Sequence, residues 1–349
     1  MKKTFAIPLM IVLVVGLVFS GCAAPAPEAP APAKPEVIEL IRADWYPLSD
    51  PMCPIAALFC DAIEEATEGR VRIRYIPGGA LFGGKEAYQS IVEGVADMSM
   101  IFLAYTPKRF PLLAAYNLPL PILDVEVGTR IFNELIEKYK PAELADTHLL
   151  YSYFCDDNQL YTIHHPVWVP EDMKGIKVRA TGVKAELYEL MGATPINIPT
   201  GEIPGALQKG IVNAVGAAGM QVETMELAPP LKYCTYLSAG NAAFNLTMNL
   251  DAWNSLPPDI QKIFDEVSEE YSYIEANNFA KCSQAGHNWA VAQGVEVIKY
   301  PPEIMKARDE AVQVILEGYY ADWEAKGLPG RKFVDDLYAL NEKYMAEKK

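Results

Sequence analysis

The sequence is poor in the residues on which metal sites and nucleophilic catalysis most often depend. It has four histidines and six cysteines in 349 residues, with no Cys-x-x-Cys pair and no Gly-x-Ser-x-Gly turn. Two of the histidines, His164 and His165, are adjacent, and adjacent residues on an extended segment point to opposite faces. These absences argue against a zinc site and a serine hydrolase, and we predict no metal and no other cofactor.

The cysteines do not form an evident disulfide framework. Besides Cys22 there are five, an odd number that one chain cannot pair completely. Cys53 and Cys60 lie in a predicted helix at a spacing that separates their α-carbons by about 10 Å, beyond the reach of a disulfide. We therefore expect these two thiols to behave as small buried apolar groups.

Basic residues are scarce relative to acidic ones. The chain has 30 lysines and arginines against 45 aspartates and glutamates, a formal net charge of −15. Such a chain is a poor partner for nucleic acid or for an anionic membrane surface. Hydrophobic residues make up 51% and charged residues 21% of the sequence, which is enough for a large core, and the length favours two domains.

The longest apolar run lies at the N-terminus. Two lysines precede an apolar segment from Phe5 to Phe19, which is short for a spanning helix and typical of a secretory signal. Its ending, two small residues before Cys22, resembles a bacterial lipobox, in which the peptide is cut before the cysteine and the thiol is acylated. We predict an extracytoplasmic protein, lipid-anchored to a membrane through Cys22 and facing the periplasm or the cell exterior. An ordinary signal peptide cut near Ala24, or an uncleaved anchor, is the alternative.

The rest of the chain divides by composition and pattern. Residues 22–35 alternate proline with alanine and glutamate, which favours an extended spacer without a core. The predicted organisation is a signal peptide at 1–21, this spacer at 22–35, a first α/β domain at 36–157 with about 247–287, and a second at 158–246 with about 288–349.

Strand and helix patterns alternate twice along the chain. The first unit has a strand from Val37, a helix from about Pro54, a strand at 71–76, a helix at 85–92 and a strand at 95–103. The second has strands at 176–180, 194–198 and 211–215 separated by helices at 184–191 and 202–209, and helices follow at 258–293, 302–326 and about 331–345. This order is typical of parallel sheets covered by helices. We predict the α/β class, with the longest helix spanning both domains.

Two α/β domains joined by crossing segments place a ligand in the cleft between them, where strand ends and helix N-termini converge. An exported, tethered and acidic protein of this plan is most simply a solute-binding protein.

Several segments, in this order, resemble one family. They are GRVRIRYIPGGALFGGKEAYQSIVEGVADM, LPLPI, PEDMKGIKVRATG, MGATPINIPTGEIPGALQKGIVNAV and NLDAWNSLPPDIQKIF, within about residues 37–325. They are similar to the substrate-binding proteins of TRAP transporters, the DctP-type receptors. The resemblance implies a two-domain, periplasmic-binding-protein-like fold that closes on a small organic solute, expected to be a carboxylate, and docks on an ion-coupled membrane permease. We expect the receptor to be a monomer.

The resemblance also implies a ligand-binding arginine. In the family the arginine of the KGIKVR segment binds the solute carboxylate, and here it is Arg179. A guanidinium suits that role because its planar fork of donors matches both carboxylate oxygens. A surface or salt-bridged arginine is the alternative. Gln159 stands where many members have a second arginine, and Ala217 where many have a ligand-holding asparagine, so we expect a less polar monocarboxylate, aromatic or bulky, or a neutral solute.

Further candidates follow the ends of predicted strands, which face the cleft in this architecture. The aromatic candidates are Trp45, Tyr46, Phe102, Tyr105 and Tyr161, and the polar ones are Gln221 and Glu223. Aromatic rings at these places could stack on a solute. Packing in the core is the alternative, above all for Phe102.

Two other functions stay open at this point. The same fold could present its solute to a sensor kinase or to an ABC-type permease, although the resemblance of the long helix favours the TRAP type. An exported enzyme is the less favoured reading. Its best candidate is the acidic pair Asp156 and Asp157, and neighbouring acids diverge on a strand.

Overall fold

Two β-sheets flanked by helices make up the part of the chain that the structure describes. The computed structural model describes residues 37–120, 124–155 and 158–348. The predicted signal peptide, the spacer, Cys22 and the pair Asp156 and Asp157 lie outside the described residues. No helix within the described ranges has the length and apolar character needed to cross a membrane.

Eleven strands and ten α-helices are formed by the described residues. The strands are β1 (Ile38–Ala43), β2 (Val71–Ile76), β3 (Met98–Phe102), β4 (Thr147–Cys155), β5 (Gln159–Thr162), β6 (Lys177–Arg179), β7 (Thr194–Ile196), β8 (Ala214–Ala217), β9 (Tyr233–Tyr236), β10 (Ala242–Asn249) and β11 (Glu296–Lys299). The helices are α1 (Met52–Ala66), α2 (Ala87–Val92), α3 (Val125–Tyr139), α4 (Val183–Leu190), α5 (Ile203–Gln208), α6 (Gly219–Thr224), α7 (Leu250–Ser255), α8 (Pro258–Ala292), α9 (Pro302–Ala325) and α10 (Gly330–Glu347).

The first sheet has the strand order β2-β1-β3-β10-β4. β1 pairs in parallel with β2 and β3, as the alternation of strands and helices predicts. β10 lies between β3 and β4 and is antiparallel to both. β10 is thus a central strand of this sheet, and α7 follows it directly.

The second sheet has the order β11-β9-β5-β8-β6-β7. β6 pairs in parallel with β7 and β8, and β5 is antiparallel to β8 and β9. The predicted strand at 211–215 begins later, at Ala214. The amide of Ile211 instead donates to the Ala206 carbonyl at 2.9 Å, in a turn that passes through Gly210 with φ +66°.

Local capping explains where two of the helices begin. The Asp124 carboxylate accepts a hydrogen bond from the Val127 amide at 2.9 Å before α3. The Asn249 side chain does the same for the Ala252 amide at 3.0 Å and starts α7 directly after β10. Such side chains satisfy amides that have no partner within the helix.

The long helix α8 contacts residues that pack beside each of the two sheets. On the side of the first sheet, the Tyr271 hydroxyl donates to the Leu58 carbonyl at 2.9 Å. On the side of the second, Ser283 Oγ accepts from the Gly219 amide at 3.0 Å, and His287 is hydrogen-bonded to the Tyr161 hydroxyl. The predicted α/β class with a long shared helix is confirmed, while the residue bounds of the two domains stay a prediction.

Five cysteines lie among the described residues, and most of them are buried. Cys53, Cys60, Cys155 and Cys234 are buried, and Cys282 is half-buried. Cys53 and Cys60 both lie in α1 within an apolar cluster, as expected from their spacing. Burial raises the pKa of the Cys60 thiol to about 12 and so disfavours the reactive thiolate.

Candidate ligand-binding cavity

A cavity of ≈ 590 Å³ lies where strand ends of the two sheets meet. From the first sheet, Phe102 is the last residue of β3 and Trp45 follows β1. From the second, Arg179 is the last residue of β6, and residues 197–200 follow β7. The volume is in the range of cavities that hold small organic ligands.

Arg179 is held in the cavity wall by oxygen atoms of the segment that follows β7. Its Nε donates to the Ile198 carbonyl at 3.0 Å, and its Nη2 donates to Thr200 Oγ1 at 3.2 Å. No carboxylate among the described residues pairs with this guanidinium. Burial lowers the pKa of Arg179, and the Tyr105 phenol acts in the opposite direction. The result is a partly desolvated cation that faces the cavity without an anionic partner.

The wall contributed by the first sheet is aromatic. The ring of Tyr105 lies 5.1 Å from that of Trp45 and 4.8 Å from that of Phe102. The indole is fixed because its Nε1 donates to the Met100 carbonyl at 2.8 Å. A Cβ added to Gly84 would lie 2.6 Å from Tyr105 Cε2 and 2.9 Å from Trp45 Cδ2, so the rings depend on a glycine at this point of the turn.

The charge of the cavity opposes that of the whole chain. Its lining includes three basic side chains, Lys85, Arg179 and Lys184, and one acidic side chain, Glu86. The chain itself has a formal net charge of −15. Basic groups gathered in a cleft attract anions even when the protein is acidic, so the cavity suits an anionic solute.

Four of the predicted ligand-binding residues line this cavity: Trp45, Phe102, Tyr105 and Arg179. Sequence reasoning missed several others, namely Lys184, Asn117, Asn197 and Tyr319. Lys184 lies at the start of α4, a place that could have been found from its position just after a strand end. Its Nζ donates to Asn158 Oδ1 at 2.9 Å. Tyr319 lies in α9, far along the chain, and no sequence pattern points to it.

The other predicted site residues lie outside the cavity wall. The Tyr46 hydroxyl is buried 3.4 Å from that of Tyr153. Gln159 Oε1 accepts from the Leu237 amide at 3.0 Å, and Ala217 pairs with Gln159 across β5 and β8. Three more are placed as follows: Tyr161 is buried against His287, Gln221 Oε1 accepts from the Ala218 amide at 3.3 Å at the start of α6, and Glu223 is half-buried in α6.

The described residues contain no group of three or more His, Cys, Asp or Glu side chains that could hold a metal ion. The chemistry of the cavity is therefore that of its donors and rings. It can bind an anion through hydrogen bonds to Arg179 and pack an apolar body against Trp45 and its neighbours.

Two helix-flanked sheets with a ligand cavity at their strand ends define the class of solute-binding proteins. The profile of the DctP family, described as bacterial extracellular solute-binding protein family 7, matches residues 43–322. The chain belongs to this family. Its members are extracytoplasmic proteins that bind solutes for TRAP transport, so the function predicted from the resemblance is confirmed at this level.

Relatives and solved structures agree with this assignment. A TRAP periplasmic solute-binding protein from Desulfovibrio salexigens superposes with a TM-score of 0.82 at 28% identity, over 88% of this chain and 96% of that one. A TRAP solute-binding protein from Rhodoferax ferrireducens, in complex with copurified benzoate, gives 0.81 at 21% identity over 90% and 100%. The monocarboxylate 2-oxoacid-binding periplasmic protein of Nostoc sp. is 24% identical over 73% of this chain and 72% of its own.

Proposed function

We propose that this receptor captures a small organic carboxylate and that Arg179 binds the carboxylate group. The observation that carries the proposal is the half-buried guanidinium with no carboxylate partner among the described residues. A buried charge without an opposite charge is unfavourable, and a bound carboxylate would supply that charge together with paired hydrogen bonds.

The shape of the cavity supports an acid with one charged end and an apolar body. The rings of Trp45, Phe102 and Tyr105 offer an apolar face, and burying apolar surface against it contributes about 25 cal/mol per Å². The Rhodoferax protein holds benzoate and the Nostoc protein is named for 2-oxoacids, both monocarboxylates.

The receptor would pass its solute to a TRAP-type permease without converting it. Among the described residues, the cavity lining includes no histidine, cysteine or serine, and the structural neighbours are solute-binding proteins. Delivery to a sensor kinase or an ABC-type permease is the second candidate, because the cavity residues do not identify the partner that receives the solute. Solute uptake by membrane vesicles would decide between them: uptake only when the TRAP permease subunits are present would support the TRAP type.

Arg179→Ala should lower the affinity for carboxylates by about 10- to 100-fold, because a charge-assisted hydrogen bond contributes about 1.5–3 kcal/mol. Calorimetric titration with benzoate and other monocarboxylates, each beside its neutral primary amide, measures the effect. Arg72→Ala is the matched control, since that side chain is 59% exposed and far from the cavity lining. Equal binding of acids and amides, or an unchanged affinity in Arg179→Ala, would contradict the proposal.

The membrane anchor is a separate part of the proposal. Cys22 would carry the lipid, and the spacer at 22–35 would let the folded body reach a permease. Cys22→Ser should move the protein from the membrane fraction to the extracytoplasmic soluble fraction, as fractionation and immunoblotting would show. A variant that stays in the membrane fraction would point instead to the uncleaved anchor.

A further inference from the structure

A second cavity, of ≈ 360 Å³, adjoins the solute cavity. It is bounded by the segment 107–114, by Glu186 of α4 and by one face of α9, and we call it the annex. Pro107, Ala114 and Tyr319 line both cavities. Because Tyr319 alone among the three has a long side chain, its ring is the movable part of the boundary.

A hydrogen bond sets the distance between two walls of the annex. Trp323 Nε1 in α9 donates to the Pro111 carbonyl at 2.6 Å and ties the helix to the opposite wall. The ring of Tyr319 rests on that of Trp323, with centroids 5.4 Å apart and planes at 61°. The backbone spacing is thus set by Trp323, while the phenol ring can turn about its own side-chain bonds.

Gly318 contributes no side chain to the annex. It lies inside α9 and lines the annex, where a Cβ in its place would meet no atom within 4 Å. Glycine weakens the interior of a helix, and no close packing requires it here. The structural effect of this glycine is therefore to leave space beside Tyr319.

The chemistry of the annex suits the outer part of an elongated molecule. Pro111 and Ile315 give it apolar surface, and its charged side chains include Asp322 and Lys326, which pair with each other at 2.6 Å. Gly318 is exposed, so the annex opens to solvent. The other charged side chains of its lining, Lys108 and Glu186, are exposed, so an apolar chain could lie along the annex while both charges stay in water.

We propose that the annex takes the distal part of carboxylates that are longer than the solute cavity alone can hold, and that Tyr319 sets this length limit. The inference rests on the carboxylate function proposed above. The acid group binds at Arg179, the body packs on the aromatic wall, and the tail of a longer solute passes Tyr319 into the annex. A short acid such as benzoate occupies the solute cavity alone.

The experiment measures affinity across a series of increasing length: benzoate, 3-phenylpropionate and 5-phenylpentanoate, each beside its primary amide. Gly318→Leu fills the annex and should weaken binding of the longest acid about 10-fold while leaving benzoate unchanged. Gln313→Leu, an exposed substitution in the same helix that borders neither cavity, is the control for added surface leucine. Tyr319→Ala should raise the ratio of long-acid to short-acid affinity, whereas Tyr319→Phe should preserve the wild-type ratio.

The possible failures are distinguishable. If every acid binds no better than its amide, the carboxylate function is wrong, and the length profile of the amides still tests the annex. If Gly318→Leu weakens all lengths equally or none, and Tyr319→Ala leaves the ratio unchanged, the annex does not hold solute and the inference is overturned.

Discussion

Two arginines, Arg42 and Arg179, show how the partners of a residue decide its role. Arg42 in β1 is fully buried, and its guanidinium lies 2.9 Å from the Asp44 carboxylate and 3.6 Å from that of Glu275. Arg179 is half-buried and faces a cavity with no carboxylate beside it among the described residues. Arg42 is thus neutralised inside the fold, whereas the charge of Arg179 is left for a ligand.

Glu275 should make stability depend on pH. It is fully buried in α8, where burial raises its pKa to about 7 against the opposing effects of Arg42 and the Tyr151 hydroxyl. Between the ordinary pKa of a glutamate and pH 7, Glu275 is therefore protonated in the folded chain and ionised in the unfolded chain. The free energy of unfolding contributed by this group falls as pH rises through that window.

Glu275→Gln should flatten this pH dependence and stabilise the fold above pH 7 by about 1–3 kcal/mol, because the amide needs no proton to be neutral. Urea unfolding at a series of pH values between 5 and 8 measures the slope. The control is Glu269→Gln, an exposed substitution in the same helix. Parallel pH profiles for wild type and Glu275→Gln would show that this carboxyl does not titrate in the window.

At the scale of elements, α6 and α8 approach so closely that only glycine fits between them. A Cβ on Gly286 would lie 2.0 Å from the Gly219 carbonyl oxygen, and a Cβ on Gly219 would lie 2.0 Å from the Ser283 carbonyl oxygen. The Gly219 amide also donates to Ser283 Oγ at 3.0 Å. This contact joins the long helix to the helix that follows β8 of the second sheet.

Gly286→Ala should destabilise the protein by about 1–3 kcal/mol, because overpacking forces the two backbones apart. The matched control is Gly318→Ala in α9, where the added methyl group meets open space and should stabilise the helix by about 1 kcal/mol. Chemical denaturation of both variants gives the comparison. Similar effects in the two variants would mean that helix propensity, rather than the close approach, governs both positions.

At the scale of the whole molecule, the cavity has one wall from each sheet, so a solute that touches both walls would favour a closed arrangement. Trp45 and Tyr105 lie on one wall and Arg179 on the other. Only a ligand that contacts both walls more fully in the closed state can shift the equilibrium. Solute binding would thus change the conformation of the receptor, and a permease could distinguish the closed form from the open one.

Saturating carboxylate should reduce the radius of gyration of the wild-type protein, because closure brings the two walls together. Small-angle X-ray scattering with and without solute measures the change. In Arg179→Ala, which is expected to bind more weakly, the same carboxylate concentration should reduce the radius less than in the wild type. A bound wild-type protein whose scattering curve matches that of the free protein would argue for a preformed closed cavity.

The fold was more predictable than the site. The helix predicted at 258–293 is observed as Pro258–Ala292, and β2 was predicted at its observed bounds, because periodicity and flanking glycine or proline act locally. β10 was missed because its antiparallel partners lie about 100 or more residues away in sequence, and no local pattern announces such a pairing. In the site, residues at strand ends were accessible to prediction, and Tyr319 of α9 was not.

The sequence by itself determined the class, the order of most elements and the arginine at the end of β6, because these depend on local spacing and on motifs along the chain. Only the tertiary structure decided which side chains face the solute. Trp45 lines the cavity while its neighbour Tyr46 is buried against Tyr153, since adjacent side chains near a strand end diverge and the packing selects between them. The cavity itself exists only where elements distant in sequence converge.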